Sequence, residues 1–412
     1  MANTDSNAIL ALLKEAYLGQ PVEFELYKDY PFLAEIEKDE NFVGKYMPLP
    51  IVSGAGTSSN SFAMAQTYQA PVIARAFDIT TGDRFGFATI DGKAIAQSRN
   101  DAGAFARTVE TAMDSGLETM TQALAQDLYR SGTGTIGIGT LVYSTGVFTF
   151  TNADDCSNFE YGMCLQGATS DGGTPVGGVG TPTPMWVVNR DPIAGTITVS
   201  TTFGGTAGVG VGLTSVTYLS RIGDGSGYGN NYLVGLQGWC PATVSSTPFF
   251  GVDRSIDRVK YGGLYLDYSS MGPDEALVKA LNMLHREGGN PDRCYTNYST
   301  FYALEQKMGG QRIRVEAKGQ GSVLGFEGIR VTGGKGSCLV LPDRACPSAR
   351  ALFVELKYAK LWSMRQAPRV IDDDGMEMLR TSSQNAVEVR LGYYAQLAIA
   401  KPMSLAQVVM PA

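Results

Sequence analysis

The chain has 412 residues, 44% of them hydrophobic and 10% aromatic, which is enough for two or three domains with sizeable cores and excludes a disordered chain. Its formal net charge is −7 at pH 7, with no Lys between Lys93 and Lys260, and this excludes a protein that grips nucleic acid through a clustered basic face. No apolar run approaches the roughly 18 residues of a membrane span, and the opening Met1-Ala2-Asn3-Thr4-Asp5-Ser6 has neither a basic n-region nor a signal core.

Taken in chain order, Asp5 or Ser6 caps a first helix whose apolar face is Ile9, Leu10, Leu12, Leu13, Ala16 and Tyr17, and Gly19 and Pro21 stop it. Tyr30–Asp39 supports one or two helical turns. Tyr46-Met47-Pro48-Leu49-Pro50-Ile51 must be extended, because residues before Pro avoid the α region. Together these segments read as an arm that lies on something else, without a core of its own. Val72–Asp78 and Phe85–Ile90 alternate partly and flank Thr80-Thr81-Gly82-Asp83, which reads as a β-hairpin.

A long helix follows over Asp101–Arg130. Phe105, Val109, Met113, Leu117, Met120, Leu124 and Leu128 recur every three or four positions and form one narrow apolar stripe, as expected for a helix lying across a sheet. Such a helix spans roughly 45 Å. Gly132 ends it. Gly is frequent, with 50 residues, and the excess is concentrated between Gly132 and Gly238. There the pattern gives short strands at Ile136–Tyr143, Val147–Phe150, Met185–Asn189, Thr196–Ser200 and Ser215–Arg221, a small barrel or sandwich. Tyr261, Tyr265 and Tyr268 share one strand-like run. Pro273 sits at the first position of a helix running to about Glu287, with Leu277, Ala280, Leu281 and Leu284 on its apolar face. A second short helix covers Ser299–Met308. Strands then return at Ile329–Thr332, Cys338–Leu341, Leu352–Leu356, Val387–Leu391 and Ala395–Ala400.

Groups that could carry chemistry are few. The single histidine, His285, removes two-His metal sites, and its place near a helix C-terminus is one that the dipole favours. A Ser-His-Asp triad would need His285 as base, and no GxSxG elbow supplies the serine. The six Cys form no CxxC and read as isolated reduced thiols. Gly132-Thr133-Gly134-Thr135-Ile136-Gly137 matches GxGxxG, but it follows a helix and opens strands, the reverse of a dinucleotide site. Asp372-Asp373-Asp374-Gly375 lacks the ligand spacing and the closing Glu of a calcium loop and reads as an acidic hairpin tip. No catalytic, cofactor or metal site is expected.

The order of these elements resembles the major capsid proteins of tailed bacteriophages, over nearly the whole length. The resemblance rests on Asp101–Arg130 with its ending Leu128-Tyr129-Arg130-Ser131-Gly132-Thr133-Gly134, on Gly288-Gly289-Asn290-Pro291-Asp292, on Leu341-Pro342-Asp343-Arg344-Ala345-Cys346-Pro347, and on the tail Val387–Leu397. It implies an α+β capsid fold. Residues 1–60 would be an N-terminal arm, 61–99 an extended β-hairpin loop, and 100–132 the spine helix of a peripheral domain. Residues 230–271 and 346–412 would supply peripheral strands, and 272–345 an axial domain. Residues 133–229 would be an inserted all-β barrel-like domain.

The resemblance further implies a shell subunit without enzymatic activity or cofactor, joined to many copies of itself as hexamers and pentamers around double-stranded DNA held without sequence-specific contacts. Arg75, Arg84, Phe85 and Lys93 are the expected inter-subunit contacts, the arginines meeting carboxylates of a neighbour. Some family members crosslink a hairpin Lys to a neighbour's Asn. Lys93 stands near the hairpin, but that chemistry is not expected here. Because the chain starts almost directly with the arm, a separate scaffolding protein is expected, with a portal and a decoration protein as further partners. Assembly would occur in a bacterial cytoplasm, with the product in the virion. The rival readings are an encapsulin shell, marked by a cargo-binding surface; a β-rich adhesin or tail-fibre module, marked by repeats or a signal peptide; and a Gly-rich enzyme domain, marked by a cleft with perturbed carboxylates.

Overall fold

The computed structural model describes residues 30–411, apart from 53, 55–57, 70–72, 93–101, 209–215, 225–231, 309–313, 319–324, 372–378 and 381–384. The helix expected before Gly19 and the acidic tip Asp372–Asp374 lie outside the described residues.

The long helix runs over Ala102–Tyr129, 28 residues. Met120, Leu124 and Leu128 are buried, and Met113 and Leu117 pack beside them on the first sheet. The polar side of the last two turns is buried as well: Gln122, Gln126 and Asp127 are all covered. A narrow stripe does not foretell this, because what covers that side is a body built later in the chain. Beyond the helix, Gly132 and Gly134 take φ of +85° and +79°, which L side chains adopt only at a cost.

The first sheet is six-stranded. Its central strand, Ala386–Ile399, pairs with Ala359–Ser363, Arg369–Val370, Leu379–Arg380 and Gly82–Asp91, and Glu37–Asp39 joins at the edge. The sequence suggested two tail strands where one long strand forms. Gly392 in its middle lets neighbouring chain come close, since a Cβ there would lie 2.9 Å from the Arg84 carbonyl oxygen.

The expected hairpin is not formed. Ala74–Ile79 pairs antiparallel with Met47–Val52, from Met47 opposite Ile79 to Val52 opposite Ala74. Gly82–Asp91 pairs instead with the central strand, from Asp91 opposite Ala386 to Gly82 opposite Ala395. A long segment gains more ladder bonds from a long partner than from a short sequence neighbour, so the distant pairing wins. Pro48 and Pro50 lack the N–H needed on both sides of a ladder, which suits Met47–Val52 to a two-stranded edge.

Residues 135–221 form a closed barrel in the order Tyr218–Arg221, Thr135–Val142, Val147–Phe150, Thr196–Ser200, Met185–Asp191, Cys164–Ala168. Phe148, Phe159, Leu165, Met185 and Ile197 fill it completely. None of these strands joins either open sheet. Cys164–Ala168 had no strand signal, because Gln166 and Gly167 break the apolar alternation.

The second sheet has seven strands, ordered Leu264–Asp267, Ala406–Val409, Arg350–Val354, Arg293–Thr296, Ser337–Pro342, Gly325–Thr332, Arg314–Lys318. Pro273–Arg286 buries Leu277, Ala280, Leu281 and Leu284 against it, as their spacing predicts. Three strands expected in the peripheral part, Leu264–Asp267, Arg350–Val354 and Ala406–Val409, belong here. Ala351-Leu352-Phe353-Val354 is buried throughout, which is the pattern of a strand covered on both faces in the middle of a sheet. Tyr261 does not share a strand with Tyr265, for it lies in the short helix Arg258–Gly262 and is fully buried.

From Tyr30 onward the expected arm has a place in the chain's own core. Tyr30, Phe32, Leu33 and Ile36 are buried, and the Phe32 ring lies 5.3 Å from Tyr129 and 5.0 Å from Tyr295. Two carboxylates hold the helix Pro31–Glu35. Asp343 accepts from the Phe32 N–H at 3.2 Å, and Glu35 accepts from the Tyr295 hydroxyl at 2.7 Å. The ordering of this stretch by other subunits, expected for the whole arm, is therefore not needed from Tyr30 to Asp39.

Candidate functional site

The cysteines and the single histidine are dispersed over the fold, and most of the thiols are buried. All six cysteines are free, and five are buried. Burial pushes the Cys164 thiol up to about 11 and the Cys240 thiol up to about 12, so neither is a thiolate at neutral pH. His285 accepts from the Lys335 N–H at 3.3 Å through Nδ1, and its Nε2 has no partner. Burial, then Lys335, lower its pKa. Among the described residues no three His, Cys, Asp or Glu side chains converge on a metal position.

The residues singled out from the sequence fall in different places. Arg84 is not at a rim. It lies inside the chain, its Nη2 2.9 Å from both Asp127 of the long helix and Asp224 beyond the last barrel strand. Asp127 also accepts from the Tyr393 hydroxyl at 3.0 Å. Burial opposes the Arg84 charge, but the two carboxylates outweigh it, and its pKa rises well above the ordinary arginine value. Asp224 goes the other way: burial lifts its carboxyl above the ordinary aspartate value despite Arg84 and Arg221. Alternation explains the position of Arg84. Phe85 and Phe87 point outward, 51% and 65% exposed, while Ala88 and Ile90 are buried on the helix side. Arg84 shares parity with that inner set, a signal present in the sequence.

Phe85 packs edge-on against Tyr394 at 5.7 Å on the open face of the first sheet. Arg75 is half-buried in Ala74–Ile79, and its Nε has no hydrogen-bond partner. Ser255 and, to a smaller extent, Arg75 lower the Asp253 carboxyl. Lys93 lies outside the described residues.

A group of exposed apolar side chains lies in the segments expected as arm and extended loop, although the sequence alone did not single them out. Around the turn-over between Met47–Val52 and Ala74–Ile79, Val52, Phe62, Met64, Tyr68 and Ile73 are all exposed, Phe62 by 84%. The six-residue helix Phe62–Thr67 buries nothing. A helix this short is not stable on propensity alone, and its apolar side chains Phe62 and Met64 find no cover among the described residues. The signal available was Phe62-Ala63-Met64 set among Ser and Gln, apolar residues with no local partner.

No family model matches the chain, and no curated protein matches it by sequence. Among solved structures, it superposes on a chain of the cyanophage A-1(L) capsid with a TM-score of 0.51 at 10% identity, covering 95% of this chain and 94% of that one. An encapsulin from Synechococcus elongatus PCC 7942 matches with a TM-score of 0.47 at 9% identity over 99% and 96%. A chain of a native GTA particle capsid matches with a TM-score of 0.47 at 10% identity over 100% of both. The first match carries the assignment: the chain has the fold of the phage capsid proteins.

Proposed function

We propose that this chain is a major capsid protein, a structural subunit that assembles as hexamers and pentamers into an icosahedral shell around phage DNA. The observation that carries the reading, beside the fold, is the helix Phe62–Thr67, held out with no residue buried. A second copy of the chain is the occupant that would cover it. In this reading the loop from Met47 to Ile79 is the extended loop. The first sheet with the long helix forms the peripheral domain, the second sheet with its two helices the axial domain, and the barrel an insert.

The chain works without catalysis or cofactor. Its net charge of −7 keeps the wall from binding DNA tightly, so packaged DNA is enclosed without sequence-specific contacts. A separate scaffolding protein and a portal are the partners this reading calls for, and assembly takes place in the bacterial cytoplasm before release in the virion.

The test is electron microscopy and sedimentation of the purified full chain, alongside the double variant Phe62→Ser, Met64→Ser. The parent should give rings, sheets or closed shells, and the variant free subunits with an unchanged melting temperature. A parent that stays monomeric at every concentration overturns the reading.

A further inference from the structure

Three apolar clusters divide the described core. One joins the first sheet and the long helix to part of the second sheet, with Leu124, Leu391, Leu341 and Leu352 in common packing. A second lies beneath the helix Pro273–Arg286. The third is the barrel interior, and its buried members all fall between Ile136 and Leu219. No barrel residue belongs to either of the other two clusters, and no barrel strand bonds to either open sheet.

The barrel nonetheless touches both sheet layers, and its seats are polar. On the helix side Arg84 bridges Asp127 and Asp224 at 2.9 Å each, and Gln126 donates to the Asn158 carbonyl at 3.3 Å. On the second-sheet side Asn297 donates to Asp154 at 3.1 Å and Ser348 donates to the buried Asp155 at 2.8 Å. Arg344 reaches Glu160 at 3.4 Å. Apolar packing resists separation through area, whereas hydrogen bonds and ion pairs exchange readily for water once the groups are exposed. A body with a complete core of its own, seated through polar contacts at two ends, can leave its seat without opening any apolar cluster.

We propose that the barrel is a latched rigid body, able to lift from the two sheet layers as a unit, with Arg84 as the latch on the helix side and the Asn297–Asp154 and Ser348–Asp155 contacts as the latch on the other. Lifting exposes polar surface on both sides and leaves both sheets and the barrel interior closed. The latch is a property of the single chain, so its test needs no assembled particle.

The experiment places spin labels at Ser144→Cys, on an exposed barrel turn, and Glu275→Cys, on the helix Pro273–Arg286, and measures their distance distribution in the full chain. Parent chain lacking these substitutions corrects for labelling of half-buried Cys164. The distribution is compared with and without Arg84→Gln, and separately with and without Asn297→Ala plus Arg344→Ala. The second set leaves the Arg84 bridge intact and keeps the question open should Arg84→Gln fail to fold. Hydrogen exchange is followed in the same proteins. The expected result is a broadened distance distribution in the second set, with amide exchange at 153–160 faster by about tenfold and the barrel strands as protected as in the parent. A distribution that stays as narrow as the parent's overturns the proposal. So does loss of protection in the barrel strands in step with the junction, since the barrel would then be part of one cooperative unit.

Discussion

Tyr129, at the end of the long helix, donates its hydroxyl hydrogen to Asp343 at 2.7 Å, and Asp343 is wholly buried in the second layer. The same carboxylate accepts from the N–H groups of Phe32 and Ala345. One side chain therefore ties together the arm segment, the long helix and the loop after Ser337–Pro342.

Tyr129→Phe removes one of those donors and leaves the carboxylate buried with the other two. The expected loss is about 1–3 kcal/mol of unfolding free energy, the cost of an under-satisfied buried acceptor. Urea denaturation of the purified subunit measures it. A loss below the error of the fit would mean that Asp343 is satisfied by its remaining partners.

Glu35 is held by Arg293, whose Nε lies 3.0 Å away, and by the Tyr295 hydroxyl. Burial works against the Arg293 charge, yet Glu35 outweighs it and raises the arginine pKa. Arg293→Met strands a buried carboxylate and should cost roughly 3 kcal/mol or more. Adding Glu35→Leu should recover a large part of that loss. Equal destabilisation of the single and double variants would show that the pair contributes packing rather than charge balance.

The Asp224 carboxyl lies above the ordinary aspartate value because burial outweighs Arg84. A group whose folded pKa is raised gives stability that is fully present below its unfolded value, and this is lost as pH rises through the folded one. Asp224→Asn does not titrate. Its stability relative to the parent should therefore improve between about pH 4 and pH 7. Urea midpoints of both proteins across that range decide it, and a constant or opposite difference refutes the assignment.

The thiols give a simple count. Native chain at pH 8 should react with a thiol reagent at half-buried Cys164, slowly, and the five buried cysteines should react only after unfolding. Fast reaction of a second thiol in the native chain would show that one of the buried sites opens.

What could be read in advance divides along sequence separation. The stripe Met113–Leu128, the helix beginning at Pro273 and five of the six barrel strands announce themselves locally, through period and turn residues. The partner of Gly82–Asp91 does not, since the strand it needs begins at Ala386. The same distance hid the burial of Gln122 and Gln126, whose cover at Asn158 and Glu160 comes from another body. Arg84 was legible in part. The parity of Phe85 and Phe87 puts it on the inner face, but nothing local reveals that Asp127 and Asp224 are waiting there. The exposed residues around Phe62–Thr67 were the hardest to read, because they find no complement among the described residues of their own chain.

The pairing of Gly82–Asp91 with Ala386–Ile399 also sets a schedule. A ribosome delivers the first of these strands long before the second, so the first sheet cannot close until Ala386–Ile399 has been made. The barrel has no such wait, because its strands lie between Thr135 and Arg221 and pair with one another. It can fold on the nascent chain while Phe85, Phe87 and Ala88 stand without their partner strand. That interval leaves an unpaired strand edge open to aggregation, and a temporary cover for that strand during synthesis would protect it until its partner arrives.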